Sequence, residues 1–172
     1  MNYAEIKTND VANGIGVRVS LFVSGCTHHC KGCFQPETWD FCYGKPFTKE
    51  TSDYIVDQLR NPYCTGLTIL GGDPMELQNQ EEVANLLTLV KEELPQKTTW
   101  LYTGDVFETF LPGGNKCSAV SDRILSHLDV MVDGPVVEEK KDISLVFRGS
   151  SNQRVLDVKA SLAAGKAIAI SC

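Results

Sequence analysis

Three cysteines stand close together near the start of the chain, in the stretch GCTHHCKGCF. Cys26, Cys30 and Cys33 form a C-x3-C-x2-C pattern, and His28 and His29 lie between the first two. Thiolates at such short spacings can converge on one metal ion or cluster. A structural zinc site takes four protein ligands and a ferredoxin-type cubane takes four cysteines, so a group of three leaves one position open.

Three interpretations account for the fourth position. His28 or His29 would complete a Cys3His zinc site. Cys42, beyond the stretch FQPETWD, would complete a four-cysteine cluster for electron transfer. With neither, a [4Fe-4S] cluster keeps one iron free of protein, open to a substrate or cofactor. By default, the cysteines outside the motif are ordinary thiols: Cys42, Cys64, Cys117 and Cys172.

Composition limits the fold and the compartment. A chain of 172 residues is long enough for one domain, so we expect a single domain over 1–172, with the tail from about 156 unassigned. No apolar run could span a bilayer, and the start MNYAEIKTND lacks a signal-peptide region.

The charge and the cysteine content indicate the kind of partner and the compartment. The net charge of −6 and the scattered Lys and Arg residues predict neither a nucleic-acid nor a membrane partner. An odd number of cysteines, seven, without an export signal indicates a cytoplasmic protein.

Predicted strands and helices alternate along the chain. Period-two and β-branched patterns predict strands over 17–23, 66–70, 98–103 and 128–132. Helical spacing predicts helices over 49–59, capped by Thr48, over 79–94, capped by Asn79, and around 118–127. This alternation predicts an α/β fold with a parallel sheet, either doubly wound or an incomplete (β/α) barrel. A full eight-unit barrel normally needs about 250 residues.

A short motif rich in glycine, aspartate or cysteine follows each of four predicted strands. In chain order these are SGCT, GGDP, YTGD and VDGP. The carboxyl ends of parallel strands lie at one edge of a sheet, where active sites are built. We therefore expect the four loops to meet around one site that includes the cysteine motif.

Five motifs in a fixed order carry a resemblance to a known family. They are LFVSGCTHHCKGCFQPETW, GGDP, YTG, VMVDGPV and FRGSSNQRV. With them, the chain up to about Val155 resembles the activating proteins of anaerobic ribonucleoside-triphosphate reductases, a branch of the radical S-adenosylmethionine (SAM) superfamily. The resemblance implies a fold of the radical SAM type and a single radical SAM domain. The chain departs from the family pattern at Phe34-Gln35, where this branch commonly has Tyr-Asn.

The resemblance also implies an oxidoreductase with two cofactors, a [4Fe-4S] cluster and SAM. The motif cysteines would hold the cluster, whose free iron would bind the methionyl amine and carboxylate of SAM. Reductive cleavage of SAM would generate a glycyl radical on the large reductase subunit, with a donor such as a flavodoxin supplying one electron. No catalytic residue beyond these sites is expected. Residues implied in SAM binding are Gly71, Gly72, Asp73 and Pro74 at the methionyl amine, Gly32, Cys33 and Phe34 at the adenine, and Asp133 as a further contact.

Three other functions stay open at this point. One is the activation of a different glycyl-radical enzyme, and another is a non-catalytic Cys3His zinc module that binds a partner protein. The third is an electron-transfer iron–sulfur protein with Cys42 as the fourth ligand. Arg148, in FRGSSNQR, also has three candidate roles. It would pair with an acid to fix the fold, contact the cofactor carboxylate, or dock the reductase.

Overall fold

The computed structural model describes residues 1–170, so Cys172 lies outside the described part of the chain. Seven strands form one sheet: β1 (Asn2–Asp10), β2 (Val17–Val23), β3 (Lys45–Pro46), β4 (Cys64–Gly71), β5 (Thr98–Tyr102), β6 (Val130–Asp133) and β7 (Arg154–Asp157). The α-helices of this part are α1 (Lys49–Leu59), α2 (Leu77–Glu93), α3 (Ala119–Ser126) and α4 (Val158–Ala164). None of these helices is both long and apolar enough to cross a membrane.

The sheet is mixed, with the strand order β3-β1-β2-β4-β5-β6-β7. Strands β2, β4, β5 and β6 are parallel, which confirms the predicted parallel sheet for the centre. At the edges that prediction is wrong, because β1 pairs antiparallel with β2 and β7 pairs antiparallel with β6. Neither connection carries the α-helix that a parallel crossover needs, so the chain turns back on itself. The end strands β3 and β7 do not pair, and the sheet is therefore open and not a closed barrel.

One face of the sheet packs against the helices. Alternate residues of β2, namely Val19, Leu21 and Val23, enter this core beside apolar residues of all four helices. The intervening residues of the strands point to the opposite face. There a smaller cluster of Trp100, Val130, Val132 and Val155 packs against Phe147 and Ile170. The helical face therefore provides most of the core, and part of the second face remains to form the wall of a cavity.

The helix predictions are largely confirmed. Helix α1 begins after Thr48, whose side chain forms a capping box with Thr51, and α3 lies between Ser118 and His127 as its caps. For α2 the predicted cap is wrong, because the helix begins at Leu77 and Asn79 lies within its first turn. The side chain of Asn79 is buried and donates to two loop carbonyls instead of capping the helix.

Candidate active site

The loops that follow the four parallel strands meet around a cavity of about 600 Å³. Cys26 after β2, Gly72 after β4, Thr103 after β5 and Gly134 after β6 all line it. The predicted convergence of the four loops is therefore confirmed. Since parallel strands bring their carboxyl ends to one edge, the sheet itself positions these short motifs side by side.

All three cysteines of the motif line this cavity as partly buried, free thiols. Their loop is folded tightly, because Cys33 N donates to Cys30 O at 3.1 Å. Gly25 N donates to Thr38 O at 2.7 Å, which ties the start of the loop to its end. The backbone therefore keeps the three cysteines together in one compact loop that lines the cavity.

No fourth cysteine among residues 1–170 joins the three at the cavity. Cys42, the candidate for a four-cysteine cluster, is exposed and does not line the cavity. Its backbone N–H donates to Asp40 Oδ1 at 2.9 Å in a surface turn. Three thiols facing one cavity are a donor set that fits a [4Fe-4S] cluster with one iron free of protein ligands.

The two histidines of the motif have partners other than a metal site. His28 Nε2 lies 3.0 Å from Asp73 Oδ2 and 3.7 Å from Asp105 Oδ1. These carboxylates, Asp105 first and then Asp73, raise the pKa of His28 to about 10 against the opposing effect of burial. A protonated imidazole has no lone pair for a metal. His29 lies outside the cavity lining and stacks on Trp39, with ring centroids 4.4 Å apart. Both observations disfavour the Cys3His zinc site.

Asp73, from the GGDP motif, joins three of the four loops through its side chain. It is fully buried, and its Oδ1 accepts a hydrogen bond from Met75 N at 2.9 Å. Its Oδ2 accepts from Thr103 Oγ1 at 3.0 Å and from Gly104 N at 2.9 Å, in addition to the ion pair with His28. A buried carboxylate is stable only with such partners. The side chain of Asp73 is therefore engaged in the fold, and so is its backbone, since Asp73 N donates to Gly25 O at 2.8 Å and Asp73 O accepts from Asn79 Nδ2 at 3.0 Å.

The acids beside His28 form a balanced ion network. Donor atoms of His28, Asp73 and Asp105 lie within 4.8 Å of one another, a spacing that a metal ion would also accept. However, Lys116 Nζ lies 2.7 Å from Asp105 Oδ2. Two carboxylates thus face two cations, and the network needs no further positive charge.

The glycine pair of GGDP is required by close packing against the cysteine loop. A Cβ added to Gly71, whose φ is +109°, would lie 2.6 Å from Val23 N and from Val23 O. A Cβ on Gly72 would lie 2.6 Å from Gly25 O and 2.9 Å from Thr38 O. These are backbone atoms that cannot move aside easily. Only glycine lets the end of β4 approach the loop this closely.

The comparisons with known proteins agree with this geometry. A family model described as a 4Fe-4S single cluster domain matches residues 12–156, a range that includes all four loops around the cavity. The chain is 39% identical over 155 residues to the anaerobic ribonucleoside-triphosphate reductase-activating protein of Pasteurella multocida (strain Pm70), covering 89% of this chain and 95% of the relative.

Two further relatives have the same name. The protein of Escherichia coli (strain K12) is 38% identical over 157 residues, covering 90% of this chain and 97% of the relative. The protein of Enterobacteria phage T4 is 40% identical over 155 residues, covering 90% of this chain and 93% of the relative. The chain belongs to the family of anaerobic ribonucleoside-triphosphate reductase-activating proteins. This confirms the resemblance carried by the five motifs. No solved structure matches the chain.

The residues that the family resemblance implied for SAM binding fall into two groups. Five line the cavity: Cys33, Phe34, Gly71, Gly72 and Asp73. The other three, Gly32, Pro74 and Asp133, lie outside its lining, and contacts from them to SAM stay a prediction. The carboxylate of Asp133 is engaged in the fold, since it accepts from Arg154 Nε at 3.0 Å and from Phe107 N at 2.7 Å.

Two residues at the start of α2 support the cysteine loop and were not predicted to do so. Glu76 is buried, and its Oε1 accepts from both the backbone N–H and the hydroxyl of Thr27 at 2.7 Å. Asn79 Nδ2 donates to Ser24 O and Asp73 O, both at 3.0 Å. The available signal was two polar residues, two and five positions after the GGDP motif, at the start of helix α2. Both side chains therefore hold the first residues of the cysteine loop in place.

Proposed function

We propose that the protein activates an anaerobic ribonucleotide reductase by generating a glycyl radical on its large subunit, through reductive cleavage of SAM at a [4Fe-4S] cluster. The observation that carries this proposal is the set of three free thiols that line one cavity, without a fourth cysteine from residues 1–170. The relatives are named as activating proteins of anaerobic ribonucleoside-triphosphate reductase, which supports the reductase as the partner. In this proposal the protein is a radical SAM oxidoreductase, and its open sheet is the incomplete (β/α) barrel of that class.

The roles of the cavity residues follow from their positions. Cys26, Cys30 and Cys33 would hold the cluster, and the backbone of Gly71 and Gly72 would face the methionyl amine of SAM. The apolar lining residues would contact the adenine: Phe22, Phe34, Leu70 and Phe147. When bound and reduced, the cluster supplies the electron that cleaves SAM, which allows a hydrogen atom to be taken from a glycine of the reductase. The protein positions the reactants and excludes water from the cavity.

The proposal also implies two partners and a compartment. The large glycyl-radical subunit of the reductase must reach the mouth of the cavity, and a one-electron donor such as a flavodoxin must reduce the cluster. Free thiols persist in a reducing compartment, so we place the activity in the cytoplasm.

Anaerobic reconstitution with iron and sulfide tests this proposal. We expect about four irons per chain, a reduced cluster whose electron paramagnetic resonance (EPR) signal changes on addition of SAM, and release of 5′-deoxyadenosine. Mixing with the reductase should then produce a glycyl doublet. Stoichiometric zinc in a colourless protein would contradict the proposal. A doublet on another glycyl-radical enzyme but not on the reductase would reassign the partner.

A further inference from the structure

Arg148 lines the cavity without an acidic partner in the described part of the chain. Its Nη1 donates to two backbone carbonyls, Gln153 O at 2.7 Å and Ser151 O at 3.4 Å. Across residues 1–170 no carboxylate lies within ion-pair distance of it, and Nε and Nη2 make no hydrogen bond to these residues. Of the three roles open from the sequence, pairing with an acid to fix the fold is therefore not supported.

Arg154, six residues further on, shows how this chain pairs an arginine with an acid. Its Nε donates to Asp133 Oδ1 at 3.0 Å and its Nη2 donates to Asp133 Oδ2 at 2.5 Å, a side-on pair through two parallel hydrogen bonds. Such bidentate pairs are the strongest arginine–carboxylate contacts. The same edge of the Arg148 guanidinium, Nε with Nη2, remains for a ligand that enters the cavity.

Arg148 lies in a segment that contacts the cysteine loop. Its neighbour Gly149 packs against the ring of Phe34, where an added Cβ would lie 2.9 Å from Phe34 Cε2. Phe34 directly follows Cys33, the third thiol. Arg148 therefore belongs to a segment that contacts the cysteine loop, and both line the same cavity.

The segment that carries Arg148 is fixed before any ligand binds. Gln153 is buried, and its Oε1 accepts from Gly149 N at 2.8 Å and Ser150 N at 3.1 Å. Its Nε2 donates to Gly134 O at 3.0 Å, in the loop after β6. An arginine on such a support loses little conformational entropy when it binds an anion, which favours affinity.

We propose that Arg148 binds the methionyl carboxylate of SAM and so positions the cofactor at the cluster. This inference rests on the proposed function, since it takes SAM as the ligand of the cavity. Two other cations line the cavity, His28 and Lys7. His28 is already paired with Asp73 and Asp105. Lys7 lies on β1 at the other edge of the parallel strands, over the ring of Phe22 at 5.1 Å. A lysine also lacks the planar pair of donors that matches a carboxylate. Arg148 is thus a positioning residue for the cofactor.

The test measures binding to the anaerobically reconstituted protein, with SAM and with decarboxylated SAM, which lacks the carboxylate. Direct titration gives the dissociation constant of SAM, and competition against SAM gives that of the weaker analogue. The variants are Arg148→Gln, Arg148→Lys and Lys7→Gln, with Arg60→Gln as the control. Arg60 belongs to a surface ion pair with Glu93 at 3.1 Å, so its loss removes an equal charge elsewhere. Iron content is measured for each variant.

We expect Arg148→Gln to weaken SAM binding by about 10- to 100-fold, the range typical of a lost charge-assisted pair, with unchanged iron content. Its affinity for decarboxylated SAM should stay close to that of the unmodified protein, and Arg148→Lys should recover part of the loss. The assignment would be overturned if Arg148→Gln weakened the binding of SAM and of decarboxylated SAM equally, or if it left the affinity for SAM unchanged. A loss of SAM affinity in Lys7→Gln but not in Arg148→Gln would also overturn it. If the unmodified protein binds no SAM, the proposed function itself fails.

Discussion

His28 Nε2 lies 3.0 Å from Asp73 Oδ2, and this ion pair connects the cysteine loop to the loop after β4. The ring of His28 can approach because residue 104 is a glycine, where an added Cβ would lie 2.7 Å from His28 Cδ2. The same carboxylate accepts hydrogen bonds from Thr103 and Gly104. A single buried acid thus holds three loops around the cavity, and the site depends on it without needing it as a ligand.

Asp73→Asn should therefore destabilise the protein and impair the site. The substitution removes a buried charge and leaves His28 with Asp105 as its remaining acid. We expect the free energy of unfolding to fall by about 3 kcal/mol, the lower end of the range for a broken buried pair, because His28 is partly exposed and keeps Asp105. Urea unfolding of the metal-free protein under reducing conditions measures it. Asp142→Asn is the control, because Asp142 is exposed and its carboxylate bonds only within its own turn. An equal effect of the two changes would contradict the role assigned to Asp73.

Gly72→Ala should prevent normal assembly of the cluster. The new methyl group would meet Gly25 O at 2.6 Å and Thr38 O at 2.9 Å, so the cysteine loop must move. We expect iron content after anaerobic reconstitution to fall well below that of the unmodified protein. Gly113→Ala is the control: its φ of +91° costs about 1 kcal/mol, but nothing lies within 4 Å of the added Cβ. Full iron content in Gly72→Ala would show that the loop tolerates the displacement.

The convergence of the four motifs could be predicted from the sequence because it follows from local signals. Apolar periodicity locates a strand such as Val17–Val23, and the geometry of parallel strands then brings the following loops to one edge. Strand β1 escaped prediction for a physical reason. It lies near the edge of the sheet, so charged residues such as Glu5 and Lys7 alternate with half-buried ones, and its stretch NYAEIKTND lacks an apolar pattern.

The support of the site depends on contacts between residues far apart in the chain. Asn79 matched a local capping pattern, yet its amide bonds the carbonyl of Ser24, 55 positions away. The sequence presented His28 as a candidate zinc ligand, and its ion pair with Asp73 is visible only in the folded structure. In both cases a tertiary contact, a hydrogen bond for Asn79 and an ion pair for His28, fixes the side chain, and a single sequence contains no signal of such pairings.

Acid should destabilise the protein in part through Asp129, which directly precedes β6. Burial alone would raise its pKa, but hydrogen bonds from Lys159, from the backbone N–H of Thr99 and from Lys91 together lower it from 3.8 to about 2. The resulting stabilisation is complete above the pKa of the unfolded chain, near 4, and is lost as the pH falls towards 2. Asp129→Asn should therefore be less stable by about 1–2 kcal/mol near pH 6.

Urea midpoints of the metal-free protein, measured at several pH values, check this prediction. The difference between the two proteins should shrink steadily below pH 4 and be small near pH 2, where both side chains are uncharged. A difference that stays constant over this range would mean that Asp129 acts through packing and not through its charge.

Substitution of single cysteines separates an open cluster from a closed one. Cys42→Ala should retain about four irons per chain and the EPR response to SAM, because Cys42 is exposed and lies outside the cavity lining. Cys30→Ala should lose the cluster, because only two thiols of the motif would remain on the cavity wall. Iron and sulfide analysis with EPR of the reduced proteins measures both. If Cys42→Ala abolished the cluster, the fourth iron would have a protein ligand, and SAM could not bind there without displacing it.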